Sequence, residues 1–169
     1  MILSILEHTP VWVWVTFFAV ITLGILQIRT RDVSIARATV LPVVMIALSL
    51  SGVLSAFSQI PLALGAWLVG VGVSLKLTGR VLAVRGASWS AETRHFRVPG
   101  SFVPVTLILG VFVTKYVAGV MLAINPSLAA NTSVAIVLSL VYGMFAGLFW
   151  ARARSLRALI QGSGTALPA

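Results

Sequence analysis

The stretch Gly110-Val-Phe-Val-Thr-Lys115-Tyr-Val-Ala-Gly119-Val-Met-Leu-Ala123 decides how this chain is to be read. It lies within an apolar run of transmembrane length, and it carries a lysine well inside that run. A lysine at the centre of a bilayer costs about 2.5–3.5 kcal/mol on insertion scales, so it needs a partner or an escape route. Of the 169 residues, 59% are hydrophobic and 9% charged, with a mean hydropathy of +1.08. Soluble domains carry about 25% charged residues. The composition therefore predicts a chain solvated by lipid, with room for several spans and no separate soluble domain.

Five apolar segments are predicted to cross the membrane, at about residues 10–28, 38–57, 61–84, 99–124 and 132–150. They form one transmembrane bundle over residues 1–160, followed by a flexible tail at 161–169 that contains Gly162, Gly164 and Pro168. The fold class expected is all-α, a polytopic membrane helix bundle of five transmembrane helices. Thr9 and Pro10 have the residue types of a helix start. Trp12 and Trp14 follow at the level where indoles meet headgroups. Met1–Pro10 contains Glu7 and no Lys or Arg, unlike a secretory signal, so the first span is expected to be retained.

The arginines orient the bundle. They fall at 29, 31, 37, 80, 85, 94, 97, 152, 154 and 157, on alternate connections and the C-terminal segment. The opposite connections carry neither Lys nor Arg. The positive-inside rule places the N-terminus outside and the C-terminus in the cytoplasm. This arrangement accounts for the net charge of +9 without nucleic acid. It suggests anionic lipid headgroups as partners of the cytoplasmic arginines, among them Arg94 and Arg97 beside His95.

Small residues at four-residue spacing mark the expected helix contacts. Ala135, Ser139, Gly143, Gly147 and Ala151 form such a stripe in the fifth span, and Ala66, Gly70, Ser74 and Thr78 in the third. Ala47, Ser51 and Ser55 form another in the second. Internal packing is the first reading of these stripes, and a homodimer or membrane-partner face is the alternative.

Lys115 lies roughly 20 Å along its span from Ser101 and about 13 Å from Ile124, past the midplane toward the outer side. Either its stem snorkels to the headgroups, or it faces the interior to bind an anion or relay a proton. Glu7 is the one carboxylate on the outer side, so a Glu7–Lys115 pair would lock the first span to the fourth. Thr114, Tyr116 and Tyr142 could supply hydroxyls there, and His8 could join them. Lys76, one turn before Arg80, reads as a snorkelling residue. His8 and His95 fall on opposite sides and cannot share a metal within one subunit. With no cysteine, no phosphate-binding glycine loop and no paired carboxylates within a span, no cofactor, metal or catalytic residue is expected.

The runs His8-Thr-Pro-Val-Trp-Val-Trp14, Pro99-Gly-Ser-Phe-Val-Pro104 and Thr114-Lys-Tyr116 resemble those of a family of small bacterial multi-pass inner-membrane proteins of unknown function. The resemblance implies a bacterial inner-membrane location and supplies no activity. Two functional readings follow from the residues. In one, a non-enzymatic membrane protein binds or passes a small, anionic solute at a polar site around Lys115. In the other, an interaction or assembly subunit of a membrane complex uses Lys115 and Glu7 as a structural lock.

Overall fold

A computed structural model of the chain describes residues 10–26, 28–78, 86–90 and 93–163. The element order is α1 (Val11–Leu26), β1 (Arg31–Ser34), α2 (Ile35–Phe57), α3 (Pro61–Thr78), β2 (Ser88–Ser90), β3 (His95–Val98), α4 (Val103–Ile124), a short 3-10 turn (Pro126–Ala130) and α5 (Thr132–Ser163). The protein is thus mostly helical. Three helices, Ile35–Phe57, Val103–Ile124 and the Thr132–Ile160 part of α5, are long and apolar enough to cross a membrane.

The helix bounds follow local chemistry. Ser34 caps α2, its hydroxyl accepting the Arg37 amide hydrogen at 3.4 Å, so α2 opens three residues before the predicted 38 and takes Arg37 into its first turn. Pro42 is accommodated inside α2. Ser101 accepts the amide hydrogen of Val103 at the head of α4, which begins later than the predicted 99 because His95–Val98 is a strand. Asn131 receives the amides of Ser133 and Val134 at the start of α5. That helix does not stop near 150, as expected, but continues to Ser163, into the segment read as a flexible tail. Residues 79–85, where the third span was predicted to end, and the tail residues 164–169 lie outside the described residues.

The expectation of an all-α chain is corrected by a three-stranded antiparallel sheet of order β1-β3-β2. It pairs Asp32 with Arg97, Val33 with Phe96, and Trp89 with Phe96. Alternation along the strands sends Val33, Phe96 and Val98 inward while Asp32 and Arg97 face out. Phe96 is 1% exposed, and its ring centroid lies 4.7 Å from that of Trp89. Leu156, Leu159 and Ile160 of the α5 extension pack onto this face. The extension is therefore helical for a reason: it covers a sheet that ties two distant connections together at the arginine-bearing end. Arg94, at φ 52°, makes the turn into β3.

The main core lies among α2, α3 and α5, and α3 packs on α5 more extensively than any other pair. Their backbones touch. A Cβ on Gly70 would overlap the Leu140 carbonyl oxygen, and one on Gly143 the Trp67 carbonyl oxygen. A Cβ on Gly147 would lie 2.7 Å from both the Val71 carbonyl oxygen and the Ser74 Cβ. The Ser74 hydroxyl donates to the Met144 carbonyl at 2.9 Å across the same seam. Within this chain, α3 covers the Gly143–Gly147 face of α5. The stripe on α2 does otherwise: Ala47, Ser51 and Ser55 are exposed, and both serines donate back to carbonyls of their own helix.

A short polar chain crosses the core. The Trp67 indole N–H donates to the Ser49 hydroxyl at 2.9 Å, which donates to the Tyr142 carbonyl at 2.8 Å. It joins α3, α2 and α5 in two bonds. Ser139 is the contrast. It is 0% exposed, and its hydroxyl has no partner among the described residues. Against this core, α1 packs on α4, with Phe17 and Phe112 ring centroids 5.5 Å apart and Val105 against Gly24.

Two predictions follow from this packing. Gly143→Ala forces α3 and α5 apart and should cost about 1–3 kcal/mol, whereas Gly72→Ala, with nothing within 4 Å of its Cβ position, should not destabilise. Unfolding of both variants in detergent micelles checks this. In the same assay Ser49→Ala, which strips the Trp67 N–H of its acceptor, should cost about 1 kcal/mol. Ser139→Ala should be neutral or stabilising, because it removes a buried hydroxyl that has no partner to lose.

Candidate functional site

Lys115 sits in the middle of α4, on the side turned toward α2. A Cβ on Gly52 would lie 3.5 Å from the Lys115 Cε, 3.6 Å from its Nζ and 3.9 Å from the Tyr142 Cε2. The ammonium therefore reaches back from α4 into a notch on α2, beside the ring of a tyrosine from α5. Gly52 keeps this place open: a Cβ there would already come into van der Waals contact with the end of Lys115. Lys115 itself remains exposed.

The other residues singled out around Lys115 divide. Tyr142 is 5% exposed and meets the same notch. Thr114 turns its hydroxyl to the Gly110 carbonyl at 2.8 Å, a bond within its own helix. Tyr116 is half-buried and engaged in a contact of its own. Glu7 and His8 lie outside the described residues, and the expected Glu7–Lys115 pair lies there with them. The notch residue Gly52 escaped sequence reasoning. Its signal was slight: it is one small residue between Ser51 and Val53 in a span that also holds Ala47, Ser49, Ser55 and Ala56.

A second constellation forms at the arginine-bearing end. A cavity of ≈ 480 Å³ opens between β1, the first turns of α2, the start of α4 and the region of α5 after Trp150. Arg31, Arg37 and Arg152 line it, together with Asp32. Burial holds the Arg152 guanidinium below its ordinary pKa, and the charge of Arg31 adds to the effect. Burial likewise lowers Arg31, with Arg37 contributing. Arg31 and Arg152 thus share a partly desolvated space, which the exposed Arg37 and Asp32 also line. Sequence reasoning placed these arginines on one side of the bundle but could not bring them together. Residues 31 and 152 meet because β1 and the α5 extension both pack on β3.

Among the described residues, the other basic side chains are dispersed. Arg157 donates to the Thr39 hydroxyl at 3.2 Å, and Arg97 projects from the exposed side of the sheet. The His95 Nδ1 lies 2.5 Å from the Thr93 carbonyl oxygen, in the turn before β3. Among the described residues, no group of three His, Cys, Asp or Glu side chains is placed to hold a metal ion.

An uncharacterised protein of Pasteurella multocida (strain Pm70) is 28% identical over 92 residues, which cover 54% of this chain and 70% of the relative. No solved structure matches. The family of unknown function DUF6622 matches residues 1–166, nearly the whole length, and the chain belongs to that family.

Proposed function

We propose that the protein is a non-enzymatic, multi-pass protein of the bacterial inner membrane that binds a small anionic solute, or passes one, at the polar site around Lys115. In this reading α1 and α3 cross the bilayer with the three longer helices, giving five spans. The N-terminus lies outside, and the arginine-bearing end with the C-terminus lies in the cytoplasm. The charge distribution supports that orientation: the connections at the sheet end and the α5 extension hold all ten arginines, and the opposite turns hold none.

The observation that carries the reading is the direction of the Lys115 side chain. A lysine that only escaped to headgroups would run along its own helix toward the nearer end. The end of this one lies beside Gly52 of α2, where Tyr142 of α5 also approaches, and the residue is exposed. A cation placed there in a low-dielectric setting attracts an anion strongly. The same direction favours a second reading, in which Lys115 ties α4 to α2 and α5 within a membrane assembly.

Because the chain contains no cysteine, a cysteine at position 115 can be probed alone. Lys115→Cys should react with small charged thiol reagents in intact membranes, and added anions should not slow that reaction once the lysine is gone. Val113→Cys, exposed but on another face of α4, should stay unlabelled. Absence of labelling at 115 from either side would sink the solute reading. A Lys115→Met variant that loses stability, in a chain unlabelled at 115, would support the structural tie.

A further inference from the structure

The arginine-lined cavity is not used by the Lys115 site, and the two lie toward opposite ends of the helices. Its polar end holds Arg31, Arg37 and Arg152. Its wall then turns apolar along Val40, Leu41 and Val44 of α2, facing Pro104 of α4 and Phe149 of α5. Together with Arg37, the three α2 residues recur at helical spacing on one face and run about 10 Å from the charged end toward the bilayer interior of the proposed topology. Val40, Leu41 and Val44 are 57%, 37% and 43% exposed in this chain.

A concave site with cations at one end and an apolar trough leading away from them has the shape of an amphiphile. Guanidinium forks match phosphate oxygens, two parallel N–H donors to two acceptors. Arg31 and Arg152 bring like charges together in a partly buried space, which is unfavourable. A phosphate would supply both a counter-charge and the acceptors.

We propose that this cavity binds an anionic phospholipid, its headgroup phosphate held by Arg31, Arg37 and Arg152 and one acyl chain lying along Val40, Leu41 and Val44. The site differs from diffuse attraction of lipid to exposed basic residues, because it assigns the contact to specific side chains. Arg94, Arg97 and Arg154 are exposed and do not line it. The proposal rests on the membrane-spanning reading, though not on the Lys115 site. Alkaline extraction of membranes reads integration directly, so a failure there is distinguishable from failure of the lipid site.

The full chain, purified in non-ionic detergent, is tested by native mass spectrometry and thermal unfolding with phosphatidylglycerol, phosphatidylcholine or inorganic phosphate. Phosphatidylglycerol should remain bound to the native sequence and raise its unfolding midpoint. Phosphatidylcholine and inorganic phosphate at equal concentration should do neither. Arg152→Gln and Arg37→Gln should each weaken retention about tenfold, the loss expected for one charge-assisted contact. Arg154→Gln, on the same helix but outside the cavity, should leave it unchanged. Without added lipid, Arg152→Gln should unfold no lower than the native sequence, since it relieves repulsion with Arg31; a purely structural arginine would give a lower midpoint. If Arg152→Gln fails to fold, the exposed Arg37→Gln carries the comparison. Equal retention by the cavity variants and Arg154→Gln overturns the proposal. So does inorganic phosphate that stabilises as well as the lipid, which would mark a free-anion site.

Discussion

The backbone contact between α3 and α5 is the constraint on which the rest of this bundle depends. Between helices surrounded by lipid, hydrophobic burial supplies little drive, because lipid tails are as apolar as the side chains. What remains is dispersion and polar contact at short range, and both require the helix axes to come close. Gly70, Gly143 and Gly147 allow that by placing carbonyl oxygens where a Cβ would otherwise stand. Ser74 then reaches the Met144 carbonyl, and Trp67 comes near enough to α2 to donate to Ser49. That bond adds α3 to the hold Ser49 already has on α5 through the Tyr142 carbonyl.

The same seam determines where the two polar constellations lie. Fixing α5 against α3 sets Tyr142 toward α2, beside the Gly52 notch into which Lys115 extends. Further along, it carries α5 past the apolar core as a continuous helix, so that Arg152 arrives opposite Arg31 and Leu156 reaches the sheet. One rigid helix therefore contributes to both ends. The α1–α4 pair is joined less closely to α5, and Lys115 projects from α4 across that looser boundary.

Helices were legible in the sequence because their signals are long. An apolar run of some twenty residues overrides local ambiguity, and the Gly143–Gly147 and Gly70–Ser74 spacings point to faces that approach closely. The sheet was not legible, for a physical reason. Its strands are three or four residues long, too short for alternation to emerge from background. Their pairing joins residues 31–34 to 95–98, a contact that no local pattern encodes. The end of α5 was misplaced for a related reason. Arginines at 152, 154 and 157 read as a boundary, yet Ala, Leu and Arg are good helix formers, and Leu156 has a sheet to pack on. Small residues alone also mislead: Ala47, Ser51 and Ser55 have the same spacing as the packing stripes and remain exposed.

The hidden sheet changes what the arginines mean. Counted along the sequence, they suggest only an orientation, for which any position on one side would serve as well as another. Folded, they are no longer equivalent. Arg97 stays on the exposed side of β3, Arg157 bonds to Thr39, and Arg31 and Arg152 face each other in a space that lowers the pKa of both. Orientation needs only that charges stay on one side of a membrane, and scattered arginines satisfy it at no cost. Gathering three of them around a cavity adds repulsion and desolvation that orientation does not require. That cost falls on Arg31 and Arg152, the two partly buried members of the group, and a bound anion at the proposed site would offset it.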